Sequence, residues 1–399
     1  MINRELLAIL WQRYKIYLLL MLALVLGFAV MNSQTGVKNW QAEYHNEKVA
    51  KNTFEEQIKY SKADTSPEEK HPGEVMLYHG EGKKETYTKD FKEFRDHQLQ
   101  FYLTNEIYGS GNGYIYFSQN ITVYLVCAIV VGFLTFFLDY KTGFNTLLFS
   151  SRFKRGDIFK TKLILIGGGF FIVVIAAKTI ALLNLWWQIP MEYFKVDMGQ
   201  ALLGVLASSI LTVTVYLTSC LAGIVLAEWV TGLLTISLFW FSLLFLNNAL
   251  TELVAVVRYE LLGRKLEDAL NSRTFLMRVE EIYQGYQFNW KLLLLSVVIS
   301  LIMLVISFSL FNKQDLTHNG EYLAFSFLRK PTVILLVTYI TFTVSVTGVS
   351  RYMYMTNVTF SPTYFCIKLL ISLVVSYVIS QLLVYRQLKI SSHLLGFNK

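Results

Sequence analysis

Two lysines stand where chemistry in an apolar chain is first sought. Lys178 and Lys368 each fall inside a long apolar run, and an ionisable group in such a run either marks a substrate path or snorkels its ammonium to the nearer interface. Lys178 lies about 4 to 5 Å beyond the middle of its run at about 1.5 Å per residue, so a polar cavity and snorkelling both suit it. Lys368 is about one turn from the end of its run, where snorkelling is the easier account. None of the 28 acidic residues falls in the centre of an apolar run, whereas a proton relay needs titratable groups there. Thr212, Thr214 and Tyr216 in one run, and Thr338, Tyr339, Thr341 and Thr343 in another, can line a path or bond helix to helix.

Other chemistry is disfavoured by what the chain lacks. Gly80-Glu81-Gly82-Lys83-Lys84 has neither the spacing nor the hydroxyl of a phosphate-cradling GxxxxGK[ST] loop. Neither an HExxH zinc motif nor a DxD motif occurs. His45, His71, His79 and His97 are irregularly spaced and read as exposed polar residues rather than metal ligands. Cys127, Cys220 and Cys366 each sit in an apolar run, without CxxC spacing, and read as packing residues. No catalytic residue, metal site or bound cofactor is expected.

The elements that must carry these residues are membrane spans. The 399 residues are 54% hydrophobic and only 16% charged, against roughly a quarter charged in a soluble domain. A mean hydropathy of +0.43 agrees. The apolar residues gather into runs of about 20, the length that crosses a bilayer core as a helix. Such runs lie near 16–32, 119–138, 163–187, 201–227, 229–250, 290–311, 331–350 and 364–385, so the expected fold is an all-α polytopic membrane protein of about eight spans. The first run follows Arg4, Arg13 and Lys15 but precedes no clear cleavage pattern, and it reads as a retained helix.

Orientation follows from the short loops. With the N-terminus inside, segments 1–15, 139–162, 312–330 and 386–399 hold 15 basic residues, and the outer loops 188–200, 251–289 and 351–363 hold 7. The positive-inside rule then places both termini in the cytoplasm. The net charge of +8 reports topology and attraction to anionic lipid rather than nucleic-acid binding.

Four regions follow. Residues 1–32 hold an amphipathic segment and span one; 33–118 form an outer domain; 119–311 form the core; 312–399 carry the last two spans and a tail. In the outer domain Val37 to Tyr60 continues span one as a helix, Thr65 to Glu68 and His71 to Gly73 mark breaks, and Phe91 to Tyr108 reads as a second amphipathic helix, making a helical hairpin or cap. In 251–289 apolar residues at helical spacing predict one or two helices lying in the interface or packed under the outer domain.

The richest loop is 139–162. Gly143 permits a turn after Asp139, Phe144, Leu147, Leu148 and Phe153 supply an apolar side, and Asp157 is placed to N-cap the next helix. The segment reads as a short amphipathic helix between two spans, its basic residues alternatively only enforcing topology.

This run resembles the first cytoplasmic loop of ABC-2-type permeases, in which an acidic residue leads to a Gly, a Leu-Leu pair and an Arg-x-x-Ile-Phe-x-x-Lys ending. Here these are Asp139, Gly143, Leu147-Leu148 and Arg155-x-x-Ile158-Phe159-x-x-Lys162. Asp139 stands for the more usual Glu, and a Leu-Pro before the Arg is missing. Residues 2–14 are similar to the elbow helix of that family, the Ala227-Glu228-Trp229 turn fits its six-span core, and the large outer segment with two added spans is similar to permeases of Gram-positive Ytr-type exporters.

The resemblance implies a permease in a bacterial plasma membrane that pairs with a second permease and docks an ATP-binding subunit. ATP and Mg²⁺ are held by that partner. The docking residues it implies are Asp139, Gly143, Leu147, Leu148, Arg152, Arg155, Ile158, Phe159 and Lys162, with Arg155→Ala and Phe159→Ala expected to uncouple hydrolysis without unfolding. Lys178, Thr212, Tyr216 and Tyr339 are the candidate path for a hydrophobic or amphipathic peptide, lipid or drug. The alternatives are an ATP-independent channel, and a non-transporting sensor or immunity protein that binds peptides through 33–118.

Overall fold

The structure, a computed structural model, describes residues 4–63, 71–77, 86–103, 115–117, 122–262, 290–314, 321–349 and 361–385. In chain order the helices are α1 (Arg4–His45), α2 (Glu47–Ala63), α3 (Phe91–Gln98), α4 (Thr122–Lys141), α5 (Phe144–Ser150), α6 (Arg155–Lys162), α7 (Gly169–Gln188), α8 (Met198–Val225), α9 (Trp229–Leu262), α10 (Trp290–Asn312), α11 (Arg329–Val346) and α12 (Pro362–Tyr385). A π-helical stretch, Leu163–Gly168, joins α6 to α7 without a break. Among the described residues eight helices are long and apolar enough to cross a membrane. The protein is an all-α, multi-pass, membrane-embedded chain.

Residues 4–14 are helical, but they are not set off from span one as a separate elbow. Helix α1 runs unbroken for 42 residues, about 63 Å at 1.5 Å per residue, well beyond a bilayer core of about 30 Å. No Gly or Pro occurs between Arg4 and Leu26 to interrupt it. Leu6, Leu10 and Tyr14 are buried on one face, while Ile9 and Trp11 are exposed on another.

Helices α4 and α8 form the centre of the bundle, because glycine lets their backbones meet. A Cβ on Gly132 would stand 2.4 Å from the Tyr216 carbonyl oxygen, and one on Gly223 would stand 2.3 Å from that of Phe133. Small residues at a crossing are how helices gain packing contact in lipid, where apolar surface has no preference for protein. Helix α1 lies along α7, α10 lies along α8, and α11 pairs with α12 and reaches the bundle through α9.

At one end, here the loop end, the α8–α9 turn meets residues 322–324. The Ala227 amide donates to the Tyr322 carbonyl (3.1 Å) and the Ala324 amide to that of Val225 (2.8 Å).

At the other end, α1 and α2 rise into a head. The helical cap expected over 33–118 is instead mixed: β1 (Val75–Leu77) pairs antiparallel with β2 (Thr86–Thr88), and β3 (Phe101–Leu103) parallel with β4 (Ile115–Phe117). The helix expected from Phe91 to Tyr108 stops at Gln98. Tertiary pairing ends it, since the buried Phe101 donates its amide to the Tyr193 carbonyl (2.8 Å) and accepts from the Lys195 amide (3.1 Å). Trp40 Nε1 donates to the Leu99 carbonyl (3.0 Å), and Arg95 donates to the Glu43 and Tyr44 carbonyls at the end of α1. Thus 33–118 is no independent lobe: Val37, Trp40 and Phe101 share a core with Leu182, Leu185, Ile189 and Val205. The helical loop expected over 251–289 begins as the last turns of α9, and the rest of it lies outside the described residues.

Candidate functional site

The loop 139–162 folds as a corner of two short helices. Helix α4 ends at Lys141, and Gly143, in the left-handed region at φ 70°, reverses the chain into α5; a Cβ is disfavoured there. Ser151 is extended, and α6 begins at Arg155. Its N-cap is Lys154, which makes no side-chain cap bond. Asp157 therefore does not cap the helix as expected but sits in the first turn, where its charge suits the helix dipole.

Behind this corner Asp139 is fully buried. Its Oδ1 accepts from Arg13 Nε at 2.9 Å, and its Oδ2 accepts from the Tyr14 hydroxyl and from Lys162 Nζ at 2.6 Å. Lys162, also fully buried, donates further to Asn145 Oδ1 (3.1 Å), and Arg13 Nη2 donates to Thr142 Oγ1 (2.8 Å). The Arg13 guanidinium lies 4.1 Å from the Phe144 ring centre. One carboxylate thereby ties α1, α4 and α6 together, and Lys162 adds α5 through Asn145. A buried charge is tolerable only with such a set of donors around it.

Beside the cluster five phenylalanines interlock. Phe159 stacks on Phe136 with ring centres 5.0 Å apart and meets Phe308 and Phe311 at 5.5 and 5.6 Å. Phe149 meets Phe311 at 5.5 Å. Arg155 donates to the carbonyls of Asn312 (2.9 Å) and Gln314 (3.1 Å), and lies over Phe149 at 4.4 Å. It thus satisfies carbonyls that the end of α10 leaves open, with a cation at the negative end of the helix dipole. The corner is bolted to α10 as well as to α1.

The expected docking residues divide into two sets. Asp139, Leu148, Ile158, Phe159 and Lys162 are buried, and Arg155 is partly buried against α10, so these six hold the corner in shape and offer little or no surface to a partner. Phe159→Ala, expected from the sequence to leave the fold intact, would open a hole against three aromatic rings, those of Phe136, Phe308 and Phe311, and so carries a cost in stability. Gly143, Leu147 and Arg152 are exposed, Leu147 at 61%. Thr146, Ser150, Lys154, Asp157 and Lys160 are exposed around them. Arg152 pairs with Glu5 of α1.

The candidate path residues do not converge. Lys178 is fully buried, donating to Ser208 Oγ (2.8 Å) and lying 5.2 Å from the Tyr124 ring centre; it neither snorkels nor lines a described cavity. Thr212 Oγ1 bonds back to the Ser208 carbonyl (2.8 Å). Tyr216 meets Thr135 Oγ1 (3.1 Å), and Tyr339 meets Ser242 Oγ (2.7 Å). The Thr212 bond stays within α8, and the two tyrosine bonds run from helix to helix. Lys368 caps α11 by donating to the Thr347 carbonyl.

Sequence reading missed Arg13, Tyr14, Asn145, Phe136 and Phe311 as members of this site. In the sequence Arg13 reads as a topology charge; the one available signal is an Arg-Tyr pair at the polar edge of an amphipathic segment. Comparison with protein-family models, curated proteins and solved structures finds no match for the chain.

Proposed function

We propose that this chain is the membrane-spanning subunit of an ATP-binding cassette exporter of the ABC-2 type, with hydrolysis on a separate subunit. The observation that carries this reading is the corner α5–α6: a compact element at one end of the bundle, clamped from behind and exposed in front. Asp139, Lys162, Arg13 and the five phenylalanines bind it to α1, α4 and α10. Leu147, Arg152, Lys154 and Asp157 form its free face. An element built this way passes a push from a docked partner into the spans instead of yielding to it.

The transmission route is covalent. Helix α6 continues through the π-helical stretch into α7, a 34-residue lever, and π-helical turns are frequent at functional sites. ATP binding closes two nucleotide-binding subunits, each presses on one corner, and α7 shifts against α8 and α1. A cavity between two permease copies then changes access to a hydrophobic or amphipathic substrate. In this reading the corner and both termini are cytoplasmic, the head is outside, and the membrane is the bacterial plasma membrane.

The test is to tag the C-terminus, solubilise native membranes mildly, and identify what co-purifies while ATP hydrolysis is assayed. Recovery of a nucleotide-binding subunit, lost when Leu147 and Arg152 are changed, is the expected result. A solitary protein without ATPase activity in several mild detergents would overturn the reading and turn attention to the head as a receptor.

A further inference from the structure

The π-helical stretch opens a groove on the side of the bundle. It is an apolar space of about 390 Å³ between α7, α8 and α10, within the roughly 300–1,000 Å³ of ligand sites. Ile164, Gly168 and Phe171 form one wall, Val213 the floor, and Leu301 and Leu304 the other wall. Tyr216 presents only its ring, since its hydroxyl is engaged by Thr135. Ser300 also lines it, with its hydroxyl bonded to Thr214, and a space otherwise walled by apolar side chains suits a hydrocarbon chain.

One end of the groove is charged. Lys160 is exposed and stands four residues before Ile164 on the same continuous helix. Its Nζ lies 5.9 Å from the ring centre of Phe308, which is four residues past Leu304 on α10. The ammonium therefore sits about one turn, roughly 5 Å, beyond the apolar walls on the loop side. Asp157, three residues earlier, is the exposed acid near it, and Lys154 and Lys313 are further exposed bases at this end. Apolar walls ending in a cation match the chemistry of a lipid whose headgroup is anionic.

We propose that this groove holds one acyl chain of an anionic phospholipid, with its phosphate on Lys160. The site is independent of the transport reading: it requires only the bundle and the bilayer, and it stands or falls whether or not an ATPase subunit is found.

Native mass spectrometry of the full-length protein in mild detergent, with equal amounts of dioleoyl-phosphatidylglycerol and dioleoyl-phosphatidylcholine, tests it. Wild type should retain phosphatidylglycerol about fivefold better, the preference one lysine near a surface supports. Lys160→Gln should bring the two lipids to parity without changing retention of phosphatidylcholine, and Leu304→Trp should lower both. Equal retention by wild type, or a preference that survives Lys160→Gln, overturns the proposal. Should Leu304→Trp fail to fold, phosphatidylglycerol carrying a diazirine on its acyl chain is photolysed with wild type in vesicles. Crosslinks concentrated in 163–171 and 297–304 support the site; crosslinks spread evenly over the exposed faces of α1 and α12 reject it.

Discussion

Lys162 Nζ lies 2.6 Å from Asp139 Oδ2, with neither side chain exposed to solvent. The two residues open and close one loop, 23 positions apart in sequence. A pair so placed fixes where α4 ends relative to where α6 runs on into α7, and Arg13 and Tyr14 extend the same bond to α1. The loop is thereby part of the bundle rather than an appendage.

Breaking this pair on one side leaves a buried charge unmatched. Asp139→Leu or Lys162→Met alone should cost about 3–5 kcal/mol, read as a lowered midpoint in thermal unfolding of the detergent-solubilised protein. Asp139→Leu combined with Lys162→Met should recover part of that loss, and simple additivity of the single changes would refute the pairing.

The corner should separate docking from folding. Leu147→Asp and Arg152→Gln, both on the exposed face and the second losing only an exposed ion pair with Glu5, are expected to leave the unfolding midpoint within the small range of surface changes, about 0.5 kcal/mol, while reducing recovery of a nucleotide-binding subunit. Leu148→Ala, its neighbour in sequence but buried, should cost about 2–5 kcal/mol. Similar melting of all three variants would contradict the assignment of faces.

Gly223→Val should disrupt the α4–α8 crossing, because a Cβ there would meet the Phe133 carbonyl oxygen at 2.3 Å. Overpacking of this kind costs about 1–3 kcal/mol or more. A cysteine pair engineered across the α4–α8 contact reports on it: crosslinking yield should fall in the variant, and an unchanged yield would mean that the helices approach less closely than described.

Lys178→Met should fold at least as well as wild type. The ammonium is buried with a serine hydroxyl and a tyrosine face as its described partners, and a buried charge replaced by an apolar side chain of similar volume is often neutral or stabilising. Measured transport that vanishes in Lys178→Met while the protein melts normally would restore Lys178 to the substrate path.

How far the sequence could be read depends on the range of the interaction. Apolar runs of about 20 residues announce spans because a helix in lipid must satisfy its own backbone, whatever its neighbours are. The turn at Gly143, the short helix after it and the tight step between α8 and α9 were legible for the same reason, being set by local backbone preference. The motif residues were also legible as a group, and Arg155 to Lys162 do form one element.

Sequence by itself thus determined the number and positions of the spans and that residues 139–162 are a distinct structural unit. Only the tertiary structure decided which side of that unit faces inward. Phe159 and Leu147 are equally apolar letters, but one is enclosed by rings from α4 and α10 and the other faces out. It also decided that α1 runs through its expected elbow and that Phe101 leaves its helix for the 193–195 segment. Burial and long-range pairing depend on residues over a hundred positions away, such as Arg13 for Asp139, and local periodicity carries no record of them.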